Sequence, residues 1–389
     1  MVLFTIILMD LLTGMEFDLF VPSFPQLQDF FHLTPFEVTL SLSVNFIAYC
    51  IGLFIVGELG DRHDRKSIIL FGLLTFIAGN IFCLTTHSYY IFLWGRFLQG
   101  LGIAAPAILS FLILSDLYPV KKQQFLLAML NGSLNTAAAF APVIGSYITK
   151  YFHWEGNFFT LLFLGFIVFI MVGIVIPRLQ AAPTKNGPIL NEYGSILTSP
   201  LLVLLIVYFI LCFIPYWIFV GISPLLYMKG FGVSLSHFGY YQGSFALIFA
   251  IGSVVFGFVM NKFDHKKMLI ISNKICIFSV MTIALVTIIN SHNPLFITLA
   301  FMPFIISQII PGNILYPLYL QLRPESKGRL TSLIQGGRLI FSSIGLQIAA
   351  FFYDNSFLSV GIILATLILM GVFVMFIVLK HWASIEVNS

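Results

Sequence analysis

Apolar residues in this chain gather into long runs separated by short polar breaks. The runs cover roughly residues 3–22, 36–57, 67–86, 91–115, 124–149 and 157–177, then 199–222, 237–260, 268–290, 295–320, 329–352 and 357–379. About 20 residues rising 1.5 Å each cross the hydrocarbon core of a bilayer. The pattern therefore predicts twelve transmembrane helices in two sets of six. Between the sets lies a polar stretch, RLQAAPTKNGPILNEYGS, interrupted by Pro183, Gly187, Pro188 and Asn191, residues that break helices. The predicted plan is an N-terminal six-helix bundle (1–177), a linker (178–198), a C-terminal six-helix bundle (199–380) and a tail (381–389).

The first run is anomalous. LFTIILMDLLTGMEFDLFVP contains Asp10, Glu16 and Asp18. Each acid near the middle of a spanning helix costs on the order of 2.5 to 3.5 kcal/mol on insertion scales. Packing alone does not require that cost, so these carboxylates are expected to do chemistry.

Composition excludes a soluble protein: 59% of residues are hydrophobic and 9% charged, where soluble domains carry about 25% charged residues. Cys50, Cys83, Cys212 and Cys276 all fall inside apolar runs without ligand spacing, and read as small packing residues. No basic residue precedes the first run and no small-residue cleavage site closes it, so the first helix is expected to be retained. The loops after the even-numbered runs, together with the tail, hold fourteen of the nineteen Lys and Arg residues, against Lys150 and Lys229 on the other side. The positive-inside rule then places both termini and the linker in the cytoplasm.

The halves echo each other. GELGDRHDRK from Gly57 and GFVMNKFDHK from Gly257 match at an offset of 200 residues, pairing Asp61 with Asn261, Arg62 with Lys262, Asp64 with Asp264 and Lys66 with Lys266. Parallel six-helix repeats are the plan of a rocker-type secondary transporter with its substrate site near mid-membrane.

Three motifs then carry a family resemblance. GELGDRHDRK resembles the loop motif of the major facilitator superfamily through Gly57, Leu59, Asp61, Arg62, Arg65 and Lys66, with Asp64 where that family usually has Gly. RFLQGLG, from Arg96 to Gly102, resembles a motif of its proton-coupled drug antiporters. Arg96 lies near the predicted outer end of the fourth helix, where snorkelling is open to it. The fifth run, with Pro142 and Gly145, partly resembles the antiporter motif of exporters, but Ala138 and Ser146 stand at expected glycines. The first run is most similar to the Bcr/CflA branch and to MdfA-like exporters, whose first helix has an Asp four residues before a Pro, here Asp18 and Pro22. In MdfA-like exporters a second acid sits two turns earlier, at the position of Asp10. Asp10 and Asp18 are about 80° apart around a helix, so both can face one cavity, whereas Glu16 is about 160° from Asp18.

The resemblance implies an all-helical major facilitator fold and drug:proton antiport by alternating access. Proton coupling then falls to Asp18, Asp10 and Glu16, since all eight His lie in or beside predicted loops. Substrate contacts are assigned to Asp18, Asn45, Arg96, Gln99, Gln308, Asn313 and Arg338, and gating to Gly57, Asp61, Arg62, Arg65, Lys66, Pro142 and Gly145. Asn131, Asn135, Gln242 and Gln335 are further neutral candidates. Arg338, nine residues into the eleventh run, suits an anionic or zwitterionic substrate, and pairing with Glu16 is a hypothesis for it. The alternative cargo is a polar metabolite such as an amino acid, nucleoside or carboxylate siderophore, moved in either direction. The helices supply no catalytic or metal-binding set. No enzyme activity, metal, cofactor or nucleic-acid partner is expected. The expected partners are lipid, protons and a small-molecule substrate, for a monomer in a bacterial inner membrane powered by the proton gradient.

Overall fold

The computed structural model describes residues 1–60, 62–178, 194, 196–323 and 327–382. Asp61, most of the expected linker and the end of the tail lie outside these residues, as do the side chains of Asn131 and Asn135. Twelve long helices follow the predicted plan: α1 (Val2–Asp18), α2 (Pro35–Gly60), α3 (Arg65–Thr85), α4 (Tyr89–Leu117), α5 (Val120–Phe152), α6 (Glu155–Val175), α7 (Pro200–Pro224), α8 (Leu235–Val259), α9 (His265–Ile288), α10 (Pro294–Gln321), α11 (Lys327–Phe351) and α12 (Phe357–Lys380). Among the described residues, nine helices are long and apolar enough to cross a membrane.

The first apolar run is not one helix. Pro22 cannot donate to the carbonyl one turn back, and α1 gives way after Asp18 to a tight turn over Val21–Ser23 and a short helix, Phe24–Phe31. His32 closes that helix in the left-handed conformation, φ 54°.

The chain divides into two compact units. The first holds residues 1–186 together with 234–246, the second residues 187–233 and 247–389. In the first unit α4 packs against α2 and α3, and α1 against α4, α5 and α6. Lipid tails are as apolar as Leu, so such helices associate through close packing and internal hydrogen bonds. The glycines of RFLQGLG serve that purpose: a Cβ at Gly100 would fall on the Asn45 carbonyl of α2, and one at Gly102 on the Phe76 backbone of α3. A Cβ at Gly145 would likewise fall on the Leu19 carbonyl, just past Asp18. In the second unit α7 packs against α11 and α12, and α9 against α10 and α12.

The repeat is visible in the capping chemistry. Asp64 starts α3 by accepting from Ser67 N at 3.1 Å, and Asp264 starts α9 by accepting from Lys267 N at 2.7 Å. The aspartate standing at the family's usual glycine is thus an N-cap, repeated in the second half.

Candidate functional site

The first unit encloses a hydrogen-bonded polar cluster built around an ion pair. Glu16 and Arg96 are both 0% exposed, and Arg96 Nη1 lies 3.1 Å from Glu16 Oε1. The same carboxylate oxygen accepts from Asn45 Nδ2 at 2.8 Å, and that amide also donates to the Arg96 carbonyl at 3.0 Å. Arg96 further donates to Gln99 Oε1 and, through Nε, to the Ser41 carbonyl at 3.4 Å. Gln99 in turn donates to Asn80 Oδ1 at 2.6 Å. The guanidinium carbon stands 4.0 Å from the centroid of the Phe20 ring, a cation–π contact strengthened by desolvation. Helices α1, α2, α3 and α4 each contribute a side chain to this network.

Local sequence explains the assembly. Arg96 and Gln99 are three residues apart on α4 and therefore share a face. Gly100 brings α2 close enough for Asn45 to reach the Arg96 carbonyl. The break after Asp18 turns Phe20 back over the guanidinium.

Two more acids accompany the cluster. Asp18 is 3% exposed, its Oδ1 has no hydrogen-bond partner, and Glu16 acts on it electrostatically. Asp10 is 1% exposed and accepts from Ser110 Oγ of α4 at 3.5 Å, with Oδ2 left without a partner. Tyr49 of α2 lies within the electrostatic reach of both Glu16 and Asp10. The buried charges of this region are therefore one guanidinium and three carboxyl groups.

Two sequence expectations are corrected. Glu16 pairs with Arg96, not Arg338, because the Gly100 contact and the α4 packing bring that arginine beside it. Arg96 does not snorkel; it is enclosed by Phe20, Glu16, Gln99 and Ser41. Asn45 and Gln99, assigned to substrate, support the ion pair through Asn45 Nδ2 and Gln99 Oε1, while Asn45 Oδ1 has no hydrogen-bond partner. Gln308 Nε2 donates to Ser307 Oγ at 3.0 Å and lines a cavity of about 10 Å³ with Tyr208, Cys212 and Asn273, room for at most a single water. Asn313 Nδ2 is spent on the Ile309 carbonyl of its own helix at 2.8 Å.

Arg338 lies in the second unit. Its guanidinium carbon sits 4.0 Å from the Phe213 ring centroid and its Nη1 lies 3.4 Å from Gln335 Oε1. Of the gating residues, Arg62 pairs with Glu58 at 2.8 Å, Arg65 with Asp116, and Lys66 donates to the Gly173 carbonyl at 2.7 Å. Gly57 has open space where a Cβ would stand. Pro142 lies within α5, whose helix continues through it.

Sequence reasoning passed over Asn80, Phe20, Tyr49, Asp116 and Phe213. A polar residue inside an apolar run was the available signal for Asn80. Nothing in a linear pattern marks which of forty-three Phe residues will cover a cation.

Comparison with known proteins agrees with this architecture. The sequence model of the Major Facilitator Superfamily matches residues 6–346. "Multidrug resistance protein MdtL" of Shewanella sp. (strain ANA-3) is 26% identical over 269 residues, 66% of this chain and 65% of that protein. The MdtL of Escherichia coli O17:K52:H18 is 26% identical over 234 residues, 60% of this chain and 58% of that protein. The chain thus spans less than two thirds of the length of these relatives. Among solved structures, a D-xylose-proton symporter superposes with a TM-score of 0.76 at 12% identity, covering 96% of both chains. A peptide transporter solved with sulfate superposes with a TM-score of 0.78 at 13% identity, covering 100% of this chain and 95% of that one.

Proposed function

The chain belongs to the Major Facilitator Superfamily, and from that premise we propose that it is a proton-coupled secondary transporter. It works by alternating access and exports small amphipathic compounds across a bacterial inner membrane. The observation that carries the reading is the burial of three acids on α1, Glu16, Asp18 and Asp10, of which only Glu16 is paired with the buried cation Arg96. Relatives named for multidrug resistance support the choice of cargo.

The chemistry follows from charge balance. Arg96 neutralises one carboxylate, and Glu16 occupies it. Desolvated charge without a partner is costly, so a carboxyl group beside this pair exchanges its charge for a proton or for a cationic substrate. Asp18, with an oxygen free of hydrogen bonds, is the group suited to that exchange, and Asp10 provides a second site on the same helix. Binding of proton and substrate at one carboxylate is then mutually exclusive, the condition for antiport. A membrane potential of 100 mV supplies about 2.3 kcal/mol per charge moved.

The test is proton movement in proteoliposomes driven by tetraphenylphosphonium, ethidium or chloramphenicol gradients. Proton flux that follows the substrate gradient is expected, with Asp18→Asn abolishing it at unchanged expression. Fluxes indifferent to every substrate, or an Asp18→Asn variant with unaltered gradient dependence, would count against the reading.

A second reading keeps the fold and the proton coupling and changes the cargo to a polar metabolite. The specific observation in its favour is Arg338, a mid-helix cation in a unit whose spanning helices contain no acid.

A further inference from the structure

The second unit poses a different electrostatic problem from the first. No Asp or Glu occurs within α7 to α12. Arg338 nevertheless stands in α11, eleven residues after Lys327 and thirteen before Phe351. At 1.5 Å per residue it is about 16 Å and about 20 Å from the two ends of the helix, too deep for its head group to reach the surface by snorkelling. A cation at such a depth costs on the order of 2.5 to 3.5 kcal/mol even on the lenient insertion scale. In the first unit Arg96 meets that cost with Glu16, Gln99 and the Ser41 carbonyl. Among the described residues Arg338 has no carboxylate partner.

Its surroundings are organised but unsaturated. Phe213 of α7 covers one face of the guanidinium at 4.0 Å, held there by close contact of α7 with α11 at Gly337, where a Cβ would meet Ile210 Cδ1 at 2.5 Å. Among the described residues, the guanidinium's one hydrogen bond is the 3.4 Å contact to Gln335 Oε1, and Nε has no partner. Tyr316 of α10 and Cys212 of α7 are its electrostatic neighbours, and Tyr316 Oη lies 3.5 Å from Thr331 Oγ1 of α11. Phe213, Tyr316, Gln335 and Arg338 are each half-buried, so the group keeps an accessible side.

We infer that Arg338, Phe213, Gln335 and Tyr316 form an anion-accepting subsite that takes the carboxylate of a small amphipathic monocarboxylate or zwitterion. With Phe213 on its face, the guanidinium offers its edge, and its N–H fork matches the two oxygens of a carboxylate. Charge selects the class further. The other cations of these helices lie near helix ends, apart from Lys274, which is exposed. One carboxylate neutralises Arg338, whereas a phosphate dianion would leave an excess negative charge. The aromatic side chains of Phe213 and Tyr316 supply apolar surface for the remainder of the ligand. The inference rests on the transporter reading and names the cargo chemistry that the second unit accepts.

Equilibrium binding to the purified full chain in lipid nanodiscs tests it, using 4-phenylbutyrate, its primary amide and a matched trimethylammonium compound. The carboxylate is expected to raise the thermal midpoint and the amide to do so far less. Arg338→Gln should weaken carboxylate binding at least about tenfold, equivalent to about 1.4 kcal/mol, while Arg338→Lys retains part of it. Without ligand, Arg338→Gln should be no less stable than the parent, because it removes an unpaired charge. Equal stabilisation by carboxylate and amide, undiminished binding by Arg338→Gln, or a marked loss of ligand-free stability in that variant would overturn the subsite. Binding needs no gradient, so the two readings fail separately. Carboxylate binding without transport defeats the transporter, and cation-driven proton flux without carboxylate binding defeats the subsite alone.

Discussion

Replacement of Glu16 by Ala isolates the ion pair at the centre of the first unit. It removes the counter-charge of Arg96 and the oxygen shared with Asn45, leaving a fully buried guanidinium with Gln99, the Ser41 carbonyl and the Phe20 ring. Two charges 3.1 Å apart attract by about 5 kcal/mol at an effective dielectric constant of about 20. Breaking a buried pair from one side costs about 3 to 5 kcal/mol by direct measurement on other proteins, so the two routes agree. At roughly 2 to 4 °C per kcal/mol for a unit of about 200 residues, the thermal midpoint in detergent should fall by about 6 °C or more. Glu16→Gln keeps an acceptor for Asn45 and Arg96 and should lose less. With Glu16→Leu and Arg96→Met as the single variants, the double variant Glu16→Leu/Arg96→Met leaves no orphaned charge and should recover most of either loss, giving a coupling energy of about 2 kcal/mol or more in the cycle. A Glu16→Ala protein as stable as the parent, or a double variant that loses the sum of the two single losses, would refute the argument that the pair is held as a unit.

Other outcomes follow from single contacts. Gly145→Val should disrupt the first unit, since its side chain meets the Leu19 carbonyl next to Asp18; reduced folded yield on size exclusion reads this, and normal yield would contradict the close approach. Gly57→Ala should be tolerated for folding because a Cβ there meets nothing within 4 Å, and any transport defect it shows would then be functional. Asp64→Ala and Asp264→Ala each remove an N-cap and should each cost about 1 kcal/mol, measured by thermal denaturation; a null effect at both would show that these caps are replaced by solvent. Asp116→Asn should loosen the Arg65 contact, and accelerated hydrogen exchange at the start of α3 and the end of α4 is the readout.

Much of this was legible in the chain. The twelve runs gave twelve helices because a bilayer demands length and apolarity from each segment by itself, with every backbone group satisfied internally. The break at Asp18 was foreshadowed by Pro22, since a missing N–H acts locally. The matching aspartates at 64 and 264 foretold a repeated feature, and it proved to be a pair of helix caps. The glycines of RFLQGLG announced close approach but not the partner helix.

Pairing was the part that stayed hidden. A helical wheel separates Glu16 from Asp18 and Asp10, and nothing in that separation identifies its partner. It pairs with Arg96 because α1 and α4 cross where Gly100 admits α2, a fact about three helices at once. The same holds for Arg338. Its depth in the eleventh run was countable, yet the ring that covers it and the donor that lacks a partner depend on how α7 lies against α11. The sequence by itself determined how many helices there are, where they break and which of them carry charge, because lipid acts on each segment separately. Only the tertiary structure decided which charges neutralise one another and which remain open to a ligand, because electrostatic balance in a low-dielectric interior depends on distances of a few ångströms between residues far apart in the chain.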